Sequence, residues 1–213
     1  MTAQDKTRQQ IIEGVRAFSV HGLGVGTSGN LSARAEGGFL ITPSGVAYDD
    51  LSADMIVKLD LYGAVLEGDL LPSSEWRFHC DIYNERADAG AIVHVHSPYA
   101  TALACNHMAI PAFHYMIAIA GGDSIRCADY ATFGTAKLSE NVVTALKDRK
   151  ACLMANHGLL AFDRDVPTAF KMALEVEELA KQYYLSLQLG DPVILDEAEM
   201  KVVIEKFKTY GNL

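Results

Sequence analysis

The stretch Ala91-Ile92-Val93-His94-Val95-His96-Ser97-Pro98, read together with Ala155-Asn156-His157-Gly158, decides how this chain is understood. Ala91 to His96 is a short β-branched apolar run, the pattern of a buried strand, and residues two apart on a strand point to one face. His94 and His96 therefore converge. Ser97 followed by Pro98 reads as an N-cap with proline in the first helical turn, so the strand ends there and presents both imidazoles at its C-terminal end. That is where α/β sheets hold ligands. A second apolar run, Ala151-Cys152-Leu153-Met154, precedes His157, and Gly158 is expected to let the chain turn tightly. One histidine at a strand end is ordinarily a satisfied polar group. Three at two strand ends, joined by Glu75 of Pro72-Ser73-Ser74-Glu75, make a donor set for zinc or a related divalent cation, with one carboxylate that can leave.

With 213 residues, half of them hydrophobic, the chain suits one α/β domain spanning residues 1–213. No run approaches the length of about 18 apolar residues that a membrane span needs. The polar stretch Met1 to Arg8 lacks a signal-peptide core, so a cytoplasmic location is expected. Cys80, Cys105, Cys127 and Cys152 are scattered without a Cys-x-x-Cys pair and read as reduced core thiols. A formal charge of −9 argues against nucleic acid or an anionic membrane as partner. A local pocket for a small anion remains compatible with it.

Ile11, Ile12, Val15 and Phe18 recur at helical spacing and predict an amphipathic helix over 7–19. Gly24-Val-Gly-Thr-Ser-Gly29 matches the dinucleotide pattern G-x-G-x-x-G, and Asp49 and Asp50 follow at about the fingerprint's 20-residue offset. The context is wrong for it, because the glycines follow a helix and lead into the strand-like Leu31 to Arg34. A glycine-rich turn can still cradle an anion with its N–H groups. Gly37-Gly38 between Leu31–Ala35 and Phe39–Thr42 predicts a hairpin, and Met55–Asp60 with Ala64–Glu67 predicts a second. Two early hairpins imply an antiparallel or mixed sheet. Ser73-Ser74-Glu75-Trp76 reads as a helix start that puts Glu75 in the first turn, followed by an apolar stripe of Phe78, Ile82 and Tyr83. Helices are also expected over 99–106, 135–147 and 166–189, with a shorter one in the tail after Glu199. Ile110 to Ala120 is an apolar segment of undefined form.

The assembled motifs are Gly26-Thr-Ser-Gly-Asn30, Thr42-Pro-Ser-Gly45, Pro72-Ser-Ser-Glu-Trp-Arg-Phe-His79, His94-x-His96, His114-Tyr-Met-Ile117, Ala131-Thr-Phe-Gly-Thr135, Asn156-His-Gly158 and Lys206-Phe-Lys-Thr-Tyr-Gly211. Together they resemble the class II aldolase and adducin-head superfamily, and within it the pattern is most similar to the L-fuculose-1-phosphate aldolases. The resemblance implies a three-layer αβα fold whose central mixed, largely antiparallel sheet is flanked by helices. It implies a divalent metal, zinc with cobalt or manganese as alternatives, on His94, His96, His157 and Glu75, with Glu75 swinging away to act as acid/base. Gly29, Asn30, Ser44, Gly45, Ser73 and Ser74 are implied as the phosphate site. Tyr115, Phe133, Phe207 and Tyr210 are implied at the aldehyde end, with Tyr115 reaching in from a neighbouring subunit of a C4-symmetric homotetramer and the tyrosines catalytic. The implied reaction cleaves a ketose 1-phosphate, L-fuculose 1-phosphate or a 5-deoxy or 5-methylthio pentulose 1-phosphate, into dihydroxyacetone phosphate and an aldehyde. Ser28 departs from the pattern, which carries alanine there.

Two rivals share this fold and metal. A pentulose-phosphate 4-epimerase would resemble the pattern with aspartate at position 75, and the glutamate favours the aldolase. A methylthioribulose-1-phosphate dehydratase keeps three histidines and a glutamate, but the tail resembles the aldolase. An adducin-type binding domain would lack the ligand set. A purely structural metal site would be richer in cysteine.

Overall fold

The computed structural model describes residues 2–208. Its centre is one eight-stranded sheet. The strands are β1 (Asn30–Ala35), β2 (Gly38–Ile41), β3 (Val57–Leu59), β4 (Val65–Glu67), β5 (Ala91–Val95), β6 (Arg126–Ala128), β7 (Ala151–Met154) and β8 (Gly158–Asp163). Their spatial order is β4-β3-β2-β1-β5-β8-β7-β6. Every neighbouring pair is antiparallel except β6 and β7, and the two early hairpins account for β1–β2 and β3–β4. Six α-helices among the described residues flank the sheet: α1 (Ala3–Val20), α2 (Trp76–Glu85), α3 (Pro98–Cys105), α4 (Ala136–Ala145), α5 (Val166–Leu189) and α6 (Glu197–Phe207).

Strand alternation sorts the core into two halves, because successive side chains leave a strand on opposite faces. Leu31, Ala33, Val93, Val95, Leu159 and Ala161 join the core beneath α1, α3, α5 and α6. Phe39, Ile41, Ile92, Cys152, Leu160 and Phe162 join the opposite core, with Phe78 and Ile82 of α2 and Leu138 and Val142 of α4. The result is the expected αβα sandwich. His94 has the parity of Ile92, so its ring enters the α2 side, where it meets Phe78 edge-on at 5.6 Å.

The differences from the sequence expectations have local causes. Helix α1 begins four residues early because Thr2 and Asp5 form a reciprocal capping box. Strand β6 was not anticipated. It is three residues long and offers no periodicity of its own, yet it pairs in parallel with β7. Within the apolar segment 110–120, Tyr115–Ala120 forms a tight helical turn that stops at Gly121 in the left-handed region. Of the four thiols only Cys80 and Cys152 are buried, while Cys105 is exposed and Cys127 partly covered. The core-thiol reading therefore holds for two of them. Burial pushes the Cys80 and Cys127 thiols up to about 11 and raises Cys152 further, which keeps all three protonated and unreactive. No helix among the described residues is long and apolar enough to cross a membrane.

Candidate active site

Strand β5 ends at Val95, and the turn between β7 and β8 brings His157 beside it. The ligand nitrogens of His94, His96 and His157 lie within 4.8 Å of one another. His94 is fully buried, and its Nδ1 lies 2.9 Å from the Leu159 carbonyl oxygen. A carbonyl only accepts, so Nδ1 carries the proton and the Nε2 lone pair faces the cluster. Burial first, and then the electrostatic influence of the adjacent His94 and His157 rings, pushes His96 down to about 4, which favours the neutral form that binds metals.

Glu75 closes the group. It caps α2 rather than lying in its first turn, with no side-chain bond to the helix, so the carboxylate is left for other partners. Its Oε2 lies 3.2 Å from His94 Nε2 and its Oε1 lies 3.1 Å from His157 Nε2. Oε1 is buried, yet it makes no hydrogen bond. Polar atoms of four residues converging this closely can serve as ligands of one cation. Burial opposes ionisation of Glu75, but its interactions with the His94 and His157 rings outweigh it and hold the carboxyl well below the usual carboxylate range. Three imidazoles and an ionised carboxylate fit a divalent cation of zinc type.

The glycines act by close approach. A Cβ on Gly158 would stand 2.5 Å from the Val95 carbonyl oxygen and 3.0 Å from the His96 ring. Its role is therefore not the turn that the sequence suggested. Asn156, at φ 53°, makes that turn, in the left-handed region that asparagine tolerates. Gly29 combines φ 94° with a backbone so close to β5 that a Cβ would lie 2.5 Å from the His94 carbonyl oxygen. The Gly24–Gly29 segment follows α1 and enters β1, which excludes the dinucleotide fingerprint. It is pinned by Tyr48, whose hydroxyl donates to the carbonyls of Ser28 and Gly29 at 3.1 and 2.7 Å. Tyr48 gave no sequence signal.

Of the six phosphate candidates, Ser44 and Ser73 come together through a bridge between Pro43 and Pro72, Ser44 N–H donating to Leu71 and Ser73 N–H to Thr42. Gly45 and Ser74 flank them at the surface. The structure redirects Asn30. Its Nδ2 donates to Glu75 Oε2 at 3.0 Å, and its Oδ1 lies 2.6 Å from His79 Nε2. The side chain thus bridges the carboxylate and His79.

Ser74, Glu75, His96, Phe133 and His157 line one cleft of about 370 Å³, which Tyr130 and Ala131 also border. Tyr115 and Phe207 lie elsewhere, their rings 6.5 Å apart, in a separate cavity of about 550 Å³. Tyr210 lies outside the described residues.

The model of the class II aldolase and adducin N-terminal domain matches residues 9–184. The chain belongs to this family. A 5-methylthioribulose-1-phosphate/5-deoxyribulose-1-phosphate aldolase of Rhodospirillum rubrum is 53% identical over 205 residues, covering 96% of this chain and 92% of the relative. An L-fuculose phosphate aldolase of Escherichia coli is 50% identical over 209 residues, covering 98% and 97%. Among solved structures, an L-fuculose 1-phosphate aldolase superposes with a TM-score of 0.92 at 42% identity, covering 98% of each chain. As a class II aldolase family member the chain carries its donor set where two strand ends meet, and its sheet order keeps that set on the α2 face.

Proposed function

We propose that the protein is a zinc-dependent class II aldolase, a lyase that reversibly cleaves the C3–C4 bond of a ketose 1-phosphate to give dihydroxyacetone phosphate and an aldehyde. The observation that carries this reading is the buried Glu75 carboxylate set among His94, His96 and His157 at the wall of an open cleft. A divalent cation held by these four residues supplies positive charge against the charge that develops on the substrate oxygens as the bond breaks. Glu75 moves the proton at C3, which gains one on cleavage and loses it in the reverse direction. General acid/base catalysis of this kind contributes roughly 10² to 10⁴ in rate.

The C4 hydroxyl must lose its proton as the aldehyde forms, and the tyrosines Tyr115 and Tyr210 take that role. Because Tyr115 and Phe207 line a different cavity from the cation ligands, we assign them to the cleft of a neighbouring copy, in a homotetramer with sites at its subunit contacts. Gly29, Ser44, Gly45, Ser73 and Ser74 receive the phosphate. Phe133 gives the outer cleft an apolar edge suited to an aldehyde half ending in a methyl group, a feature shared by L-fuculose, 5-deoxyribulose and 5-methylthioribulose. A phosphorylated, membrane-impermeant substrate places the reaction in the cytoplasm.

The decisive experiment incubates the zinc-loaded protein with these three ketose 1-phosphates and traps dihydroxyacetone phosphate and aldehyde separately. Formation of both is expected. An epimer or a dehydrated sugar with neither fragment would replace the aldolase reading by its rivals. In parallel, Glu75→Gln should bind zinc and lose exchange of the C3 hydrogen of dihydroxyacetone phosphate, since an amide is no base.

A further inference from the structure

We propose that His79, backed by Ser32 and Tyr83, is a positioning residue that fixes the orientation of the Asn30 amide and, through it, the Glu75 carboxylate. The inference rests on Glu75 being the proton carrier, as assigned above. Five side chains form a continuous chain. Tyr83 OH lies 2.8 Å from Ser32 Oγ, Ser32 Oγ 2.7 Å from His79 Nδ1, His79 Nε2 2.6 Å from Asn30 Oδ1, and Asn30 Nδ2 3.0 Å from Glu75 Oε2. Ser32 and His79 are wholly buried, and Asn30 and Tyr83 are 2% exposed.

The geometry follows from two matched repeats. Glu75, His79 and Tyr83 stand four residues apart along α2 and its cap, and four helical residues rise about 6 Å. Asn30 and Ser32 stand two apart on β1, a rise of about 6.7 Å. The helical stripe and the strand face therefore interleave. Asn30 is also the register partner of His94 across the sheet, which places the end of the chain beside the cation ligands.

Donor and acceptor chemistry sets the direction. An ionised carboxylate only accepts, so Asn30 must turn its NH₂ toward Glu75 and its Oδ1 toward His79. His79 then carries its proton on Nε2, and its Nδ1 accepts from the Ser32 hydroxyl. That leaves the Ser32 oxygen to accept from Tyr83. Burial, aided by the nearby His94 ring and opposed by Glu75, pushes His79 down to about 3, so the ring is neutral as this order requires. Burial also raises the Tyr83 phenol, which stays protonated. Without the Nε2–H of His79, the Asn30 amide keeps its bond to the carboxylate but loses the donor that anchors its oxygen.

Two measurements test this. Long-range ¹H–¹⁵N spectra of the zinc-loaded protein should show His79 as the Nε2–H tautomer, and the Nδ1–H tautomer would overturn the relay. Zinc affinity, read by competition with a chromophoric chelator, should fall about 10-fold in His79→Phe, within the range for groups that orient metal ligands. The C3 hydrogen exchange should fall about 10- to 100-fold, with KM for dihydroxyacetone phosphate changed less than about 3-fold. In a Glu75→Gln background the same change should leave zinc affinity within about 2-fold, because its effect passes through the carboxylate. An unchanged affinity in the single variant, or the full loss persisting in Glu75→Gln, would refute the proposal. Should His79→Phe not fold, Tyr83→Phe runs the same cycle with about a 3-fold effect expected. Exchange surviving in Glu75→Gln alone would sink the assignment of Glu75 and leave the tautomer result standing.

Discussion

Replacing Glu177 by alanine should loosen the start of α3 and, with it, His96. Pro98 has no N–H, so the first donors of α3 are Tyr99 and Ala100, and Ser97 at the N-cap makes no side-chain cap of its own. The acceptor comes from α5 instead. Glu177 Oε1 accepts from Tyr99 N–H at 2.9 Å, and Oε2 accepts from Ala100 N–H at 2.9 Å and from the buried Ser97 hydroxyl at 2.6 Å. A buried donor left unpaired costs about 1–3 kcal/mol, and a negative charge at a helix N-terminus contributes about 0.3–1 kcal/mol. Three donors and one charge give an upper value near 10 kcal/mol. Glu177 is only half-buried, so water recovers most of the hydrogen bonding, and about 3 kcal/mol is expected to remain. In urea that lowers the unfolding midpoint by about 1 M for a slope near 3 kcal/mol/M. Because His96 directly precedes Ser97, zinc affinity should drop about 10-fold as well. Glu177→Gln keeps the shape and one acceptor oxygen, and should lose about half as much stability. A loss below about 0.5 kcal/mol in Glu177→Ala would refute the view that α5 caps α3.

Three further outcomes are expected. Gly29→Ala should destabilise by about 3 kcal/mol or more and impair zinc binding, since its positive φ costs about 1–2 kcal/mol and its Cβ would strike β5. Gly26→Ala, with φ 65° and nothing within 4 Å, should show the strain alone, and equal losses in urea titrations would contradict this account. His79 has an unfolded value of 6.5 and a folded one of about 3, so its stabilisation is complete above pH 6.5 and is lost as pH falls toward 3. That amounts to on the order of 5 kcal/mol, and His79→Gln should flatten the acid limb of the stability profile by a comparable amount; parallel profiles for both proteins would argue against a buried neutral ring. Stripping the cation with a strong chelator should abolish aldol cleavage while far-UV circular dichroism stays native, because two apolar cores support the sheet independently of the site. Activity persisting in protein shown metal-free by elemental analysis would exclude a metal role.

The local signals in the chain gave most of the elements and pointed to the candidate donor set of His94, His96 and His157. Period-two alternation placed His94 and His96 on one face, Ser97-Pro98 ended β5, and the Gly37-Gly38 hairpin foretold the antiparallel half of the sheet. Those features depend on residues a few positions apart, whose spacing determines which face a side chain takes. What the sequence left open depends on contacts between distant residues. Strand β6 exists because β7 lies alongside it, and Glu177 caps a helix that begins nearly eighty residues earlier. The amide of Asn30 could equally well have served an anion by its residue type, and the 45-residue step to Glu75 carries no periodic signature. Its partner His79 was visible as part of Glu75-x₃-His79-x₃-Tyr83, but that spacing gains meaning only when α2 is laid across Asn30-x-Ser32 on β1. Hydrogen-bond direction is set by which groups meet in the dry interior, and only the tertiary structure decides that meeting.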